Sequence, residues 1–206
     1  MDTLDRIAPA AGPLLARVDE IVEYAGAPAG HPLWTQLRRV RLLPGDAVEA
    51  VAALRPDDIA AAAGPLRATR DTLADVASTL PAPGAWAGTA ADAYATGRRA
   101  LSTHVDALAG RAATTADLGD DLAEWMRGTR RAVAAVLADV LASAESAALP
   151  LTGAGPAELL PPDQHGAAAE VATRVLRTVA DAFAAAEPLL DRTTTLSAQS
   201  PPPPAI

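Results

Sequence analysis

Three histidines, a run of carboxylates and two serines raise the question of chemistry in this chain. His31, His104 and His165 sit in three separate segments. None has a carboxylate or a second histidine at metal-ligand spacing on its own helical pattern, so no metal site is expected. Asp120, Asp121 and Glu124 form an acidic group, but no second helix offers the matching Glu-x-x-His pattern of carboxylate metal centres. Ser102 or Ser143 would need a strained elbow and an oriented base to act as a nucleophile, and neither is visible. Gly153-Ala154-Gly155 follows no strand and lacks Gly-Lys-Ser/Thr, which makes it linker rather than a phosphate loop. Cysteine is absent, which excludes disulfides, thiolate metal sites and a cysteine nucleophile. The expectation is a non-enzymatic protein with no catalytic residue, no cofactor and no metal.

The elements that would carry these residues are helical. Half of the 206 residues are hydrophobic, most of them alanine, and aromatics make up only 3%. Alanine is the best helix former, and the β-branched alternation of strands is missing. A core built on alanine must pack its helices closely, because each side chain buries little area. All 17 basic residues are arginine, which reads as the codon bias of a GC-rich bacterial genome. The net charge of -8 argues against nucleic acid. The one basic cluster, Arg127, Arg130 and Arg131, has Glu124, Asp120 and Asp121 close by and reads as a solvated, salt-bridged face. No apolar stretch approaches the length of a membrane span, so no membrane insertion is expected. The acidic Met1-Asp2-Thr3-Leu4-Asp5-Arg6 start lacks the features of a cleavable signal peptide. The expected location on synthesis is the cytoplasm, and export would need another route.

Periodicity divides the chain. Residues 1–45 read as an N-terminal helical extension, opening at Gly12-Pro13 with Leu14, Val18, Ile21 and Ala25 on one face. Residues 46–80 read as the first arm of a hairpin, interrupted at Arg55-Pro56 and Gly64-Pro65 and stopped by Pro81-Ala82-Pro83-Gly84. Asp46 is placed to cap this arm. The second arm, after Gly88, carries Tyr94, Leu101, Val105, Leu108, Leu122, Met126, Val133, Val136 and Val140 on one drifting stripe. No proline falls between Gly84 and Pro150, so the arm is predicted at about 60 residues or roughly 90 Å, with weak points at Gly97, Gly110, Gly119 and Gly128. A Gly/Pro-rich linker over 150–166 leads to a C-terminal helix over 167–192, and 193–206 reads as a disordered tail. The fold class is all-α: an antiparallel helical hairpin with one long helix, extended by N- and C-terminal helices into a bundle. The first arm is too short to cover Leu122, Trp125, Val133, Val136 and Val140. These form a candidate stripe for the terminal helices or for another protein.

Between the two arms stands Trp86-Ala87-Gly88, followed by Thr89-Ala90-Ala91-Asp92-Ala93-Tyr94. This arrangement resembles the WXG helical-hairpin family of the type VII (ESX) secretion pathway, of the actinobacterial type. The resemblance covers residues 46–149. It implies a hairpin that pairs with a second helical hairpin, or with a larger exported protein, into a four-helix bundle. Trp86, Gly88 and Tyr94 would then form an elbow motif read by the secretion machinery. The family's Tyr-x-x-x-Asp/Glu export signal is matched by neither Tyr24 nor Tyr94. The nearest approximation is Phe183-Ala184-Ala185-Ala186-Glu187, which keeps an aromatic and an acid one helical turn apart.

Two functions follow as expectations. One is a substrate, co-substrate or accessory partner of type VII secretion that acts by helix–helix association. The other is a cytoplasmic helical scaffold or chaperone-like adaptor, self-contained or homodimeric, with no role in export. The second requires the C-terminal helix to cover the overhang of the long one.

Overall fold

Asp2 starts the first helix, α1 (Thr3–Ala25). Its side chain accepts from the Asp5 amide at 3.0 Å, and the Asp5 side chain accepts from the Asp2 amide at 3.0 Å. This reciprocal cap satisfies two N–H groups that a helix start leaves open. It moves the start from the expected Gly12 to Thr3, and Pro9 and Pro13 both lie inside the helix. Leu4, Ala11 and Val18, and Leu14 and Ile21, recur every seven residues and are all buried. Their burial compensates the lost proline N–H bonds.

The computed structural model describes residues 1–82, 84–85, 87–149 and 161–198. Among them there are helices and no strand: α2 (Leu33–Val40), α3 (Pro44–Ala52), α4 (Pro56–Thr79), α5 (Thr89–Leu141), α6 (Ala144–Ala147), α7 (Pro162–Ala184) and α8 (Glu187–Ala198). The fold class is therefore all-α. The chain divides into two compact units. The first combines Met1–Leu54 with Trp125–Glu187, and the second combines Arg55–Glu124 with the chain from Pro188 onward.

In the first unit, α7 packs against α1, α2, α3 and α6, and α1 packs against α3. The core holds Leu14, Val18 and Ile21 of α1, Leu33 of α2, Val48 and Val51 of α3, Val133, Leu137 and Val140 of α5, and Val171, Val175, Leu176 and Val179 of α7. Gly26 ends α1 at a φ of +64°, and a Cβ built there would come within 2.6 Å of the Trp34 ring. The Trp34 indole donates to the carbonyls of Ala27 at 3.2 Å and Pro28 at 3.1 Å, which pins α2 to the turn after α1.

The start of α3 differs from the expectation that Asp46 caps it. Leu43 occupies the cap and has no side-chain oxygen to offer. Asp19 of α1 supplies it instead, accepting from the Gly45 amide at 3.0 and 3.2 Å. Burial pushes the Asp19 carboxyl up to about 6; the Gly45 N–H works against this, and Asp46 and Glu23 add to it. A carboxyl that holds its proton more tightly in the fold than in the unfolded chain stabilises the fold fully below the ordinary value of 3.8. That contribution is lost as pH rises through about 6. The wild-type thermal midpoint should therefore rise as pH falls from 7 to 5, and Asp19→Asn should flatten that rise. A midpoint profile identical in the two proteins would remove the effect.

In the second unit, α4 and the two residues after it are tied to α5. The Tyr94 hydroxyl donates to the Pro81 carbonyl at 3.0 Å, Arg98 Nε donates to the Leu80 carbonyl at 3.2 Å, and Arg67 pairs with Asp120. Residue numbers fall on one helix as they rise on the other, the order of an antiparallel pair. Its first helix begins at Pro56, not at residue 46, because α3 belongs to the other unit. The break at Arg55-Pro56 falls as expected, with Asp57 and Asp58 in the first turn of α4. Gly64-Pro65 does not interrupt α4.

α5 runs unbroken through Gly97, Gly110, Gly119 and Gly128, but for 53 residues rather than about 60. Ser143 ends it early: its side chain caps α6 by accepting from the Ser146 amide at 3.3 Å, and Ser146 Oγ donates back to the Leu141 carbonyl at 3.3 Å. The C-terminal helix also differs. α7 begins at Pro162, where proline suits a first turn, so the end of the expected 150–166 linker is helical. Residues 185 and 186 separate it from α8, which Pro188 helps to restart. α8 extends to Ala198, into the segment expected to be disordered. The Thr193, Thr194 and Thr195 hydroxyls donate one turn back to the carbonyls of Leu189, Leu190 and Asp191. Residues 150–160 and 199–206 lie outside the described residues.

Candidate interaction surface

The helices place the expected site residues in different environments. Trp86 lies outside the described residues. Gly88 precedes α5 with a φ of +102°, which suits glycine, and its carbonyl accepts the Asp92 amide at 3.2 Å. Thr89 is the first residue of α5. Tyr94 is exposed, with its hydroxyl on Pro81 as described above.

The candidate partner stripe is corrected. Val133 and Val140 are fully buried in the first unit's own core, and Val136 packs against it half-buried. Trp125 is half-buried, its indole donating to the Ala182 carbonyl at 2.8 Å, with the Phe183 ring 6.4 Å away in a tilted pairing. Leu122, in the second unit, is half-buried. The uncovered overhang does not exist, because α1, α3 and α7 supply the apolar surface that the first hairpin arm lacks.

Phe183 and Glu187 are not one turn apart on a single helix. Phe183 lies in the last turn of α7, which ends at Ala184, Glu187 opens α8, and residues 185 and 186 form a turn between them. The Phe183 ring is committed to Trp125.

The side of α5 that is buried in the second unit also differs from the expected stripe. Val105 is buried as the stripe expects, but its buried companions are Ala91, Ala109, Ala116 and Ala123, whereas Leu101 is 40% exposed and Leu108 and Leu122 are half-buried. The seam has turned from the leucines onto the alanines. Small side chains let two helix backbones approach closely, and the gain in contact outweighs the extra area of a leucine. Tyr94 and Leu101 on α5 and Val76 on α4 are left as exposed large apolar side chains.

Arg130 departs furthest from the solvated face expected of it. It is 4% exposed. Its guanidinium donates to Asp2 at 2.7 and 3.0 Å, to Asp5 at 2.6 Å, and to the carbonyls of Ala52 at 2.6 Å, Leu54 at 3.3 Å and Val51 at 3.4 Å. Arg130 thus closes the C-terminal end of α3 and the N-terminal cap of α1 together. Arg130 holds Asp2 down at about 2 and also lowers Asp5, whose largest cause is the Asp2 backbone N–H.

Of the histidines, His31 accepts from the Leu33 amide at 3.2 Å and meets Glu170 at 3.2 Å, while His104 and His165 lie on α5 and α7. Among the described residues no three histidines or carboxylates could hold a metal ion, and no helix is long and apolar enough to cross a membrane. No family model matches the chain, and neither a curated protein nor a solved structure matches it.

Proposed function

We propose that this chain is a non-enzymatic, WXG-like helical protein of type VII secretion, acting as a substrate, co-substrate or accessory partner. It works by laying one face of the α4–α5 pair against another helical protein. The exposed apolar side chains of that pair carry the reading: Val76, Tyr94 and Leu101 are 44%, 39% and 40% exposed. Leu66 and Leu73 on α4 and Leu80 just after it recur every seven residues, as Leu101, Leu108 and Thr115 do on α5; Leu101 is exposed and the others are half-buried. Leu66 stands three residues after the buried Ala63, and Leu108 three after the buried Val105. In an antiparallel pair that offset sets both rows on the same flank. Exposed rows of large apolar side chains mark association surfaces. The Trp86-Ala87-Gly88 sequence between the two arms, with Tyr94 six residues after Gly88, supports the family reading.

A second reading has its own support. The first unit closes its core with its own helices, which fits a self-contained or homodimeric scaffold with no role in export.

The test is the solution mass by light scattering, alone and co-expressed with the neighbouring gene products. A 1:1 complex with a second helical protein is expected. Leu101→Glu should abolish it while leaving the helical circular dichroism unchanged. A monomer under every condition would sink the pairing reading, and a dimer of this chain alone would favour the scaffold.

A further inference from the structure

A hollow of about 430 Å³ lies between α5 and α7 in the first unit. Trp125, Gly128, Thr129 and Ala132 line it from α5, at steps of three and four residues that put them on one helix face. Thr178, Asp181 and Ala182 line it from α7 at the same steps. Glycine and alanine leave the gap between the two helices unfilled. A Cβ built on Gly128 would meet nothing closer than the tip of Arg131, at 4.0 Å. The Trp125 ring bounds the hollow with its N–H already given to the Ala182 carbonyl at 2.8 Å, so it offers apolar surface and no free donor.

Two polar groups open on this apolar space. Thr129 is 3% exposed, yet its hydroxyl has no hydrogen-bond partner among the described residues. Thr173 and Thr178 return their hydroxyls to the carbonyl one turn back, at 2.7 and 3.1 Å. Thr129 Oγ1 does not, and it is not sealed from solvent, so it faces the hollow. A hydroxyl this deep costs free energy unless something pairs with it. Asp181 supplies the second group. Arg39 pairs with its Oδ1 at 3.0 Å, and Oδ2 has no partner among the described residues. No arginine lines the hollow.

We propose that this hollow binds a small organic amine with an apolar, ring-sized body. An ammonium carries three donors and needs acceptors, and Asp181 Oδ2 and Thr129 Oγ1 are the two on offer. The body packs against Trp125, whose ring also attracts a nearby cation. A carboxylate ligand would meet Asp181 with no cation to receive it. A concave, mostly apolar space with few polar groups is the usual form of a small-molecule site.

The experiment is a calorimetric titration of the full chain with 2-phenylethylamine, 2-phenylethanol and phenylacetate. Saturable one-site binding of the amine is expected, about tenfold weaker for the alcohol and absent for the acid. Asp181→Asn should bring the amine down to the affinity of the alcohol, and Thr129→Val should weaken it several-fold. Ala132→Leu, at an exposed position on the rim, should fill the hollow and abolish binding. Asp163→Asn, on the first turn of α7 and outside the hollow, should leave binding unchanged. No saturable binding of the amine overturns the proposal, as does equal affinity for amine and alcohol or an equal loss in Asp163→Asn. Circular dichroism confirms that each variant is folded, and the comparison of the three ligands on the wild type needs no variant.

Discussion

Arg130→Ala loses about 3 kcal/mol of stability, seen as a lower urea midpoint at pH 7. The size follows from what the guanidinium touches. It is 4% exposed and serves two carboxylates and three carbonyls. Removal leaves the Ala52 carbonyl without its 2.6 Å donor and the two acids without their shared cation. Asp2 and Asp5 are partly exposed and rehydrate, which keeps the loss toward the low end for a broken buried pair. The variant also shifts the response to acid. Asp2 sits at about 2 in the fold against an ordinary 3.8, so its contribution is present above 3.8 and is lost as pH falls through about 2. Without Arg130 the acid unfolding midpoint should move to higher pH. A stability change under about 1 kcal/mol, with an unshifted acid midpoint, would mean that Arg130 does not join these elements.

Leu137→Ala is expected to lose about 3 kcal/mol, within the usual range for a buried leucine. Leu137 is fully buried among α1, α3 and α7 residues in a core of valines and leucines, so a cavity there has few soft neighbours to fill it. Leu101→Ala on the same helix removes the same atoms from a 40% exposed position and should change stability by less than about 1 kcal/mol. Urea unfolding of the two variants measures the contrast directly. Equal losses would contradict the assignment of core and surface along α5.

The class of the fold was legible because alanine content, missing alternation and the punctuation at Gly26–Gly30, Pro44, Arg55-Pro56 and Gly84 all act locally. Periodicity also located Val133 and Val140 on an apolar stripe. It did not say that α1 and α7 would cover them, because a stripe specifies a face and not its occupant. The choice of Ala109, Ala116 and Ala123 over Leu108, Thr115 and Leu122 was hidden for a related reason. Both rows satisfy a seven-residue repeat, and backbone approach decides between them. Arg130 read as surface because its acid partner Asp2 lies 128 residues away. Asp19 was hidden in the same way, since the amide that it caps is 26 residues on. Of the expected elbow residues, Gly88 has a positive φ and Tyr94 lies on α5, while Trp86 is outside the described residues.

One helix carries two grades of seam. From Ala91 to Ala123 the buried positions of α5 are alanines and one valine, and three of its four glycines fall in the same stretch. From Thr129 to Val140 they include Val133, Leu137 and Val140 beside the anchored Arg130. Apolar area per turn is therefore small in the first stretch and large in the second. Cooperativity then does not follow the hydrogen-bonded element. The first stretch can open in a sub-global fluctuation while the second opens only when the molecule unfolds as a whole. A continuous α-helix thus spans two foldons. The foldon with the weaker seam is also the one that displays Tyr94, Leu101 and Val76.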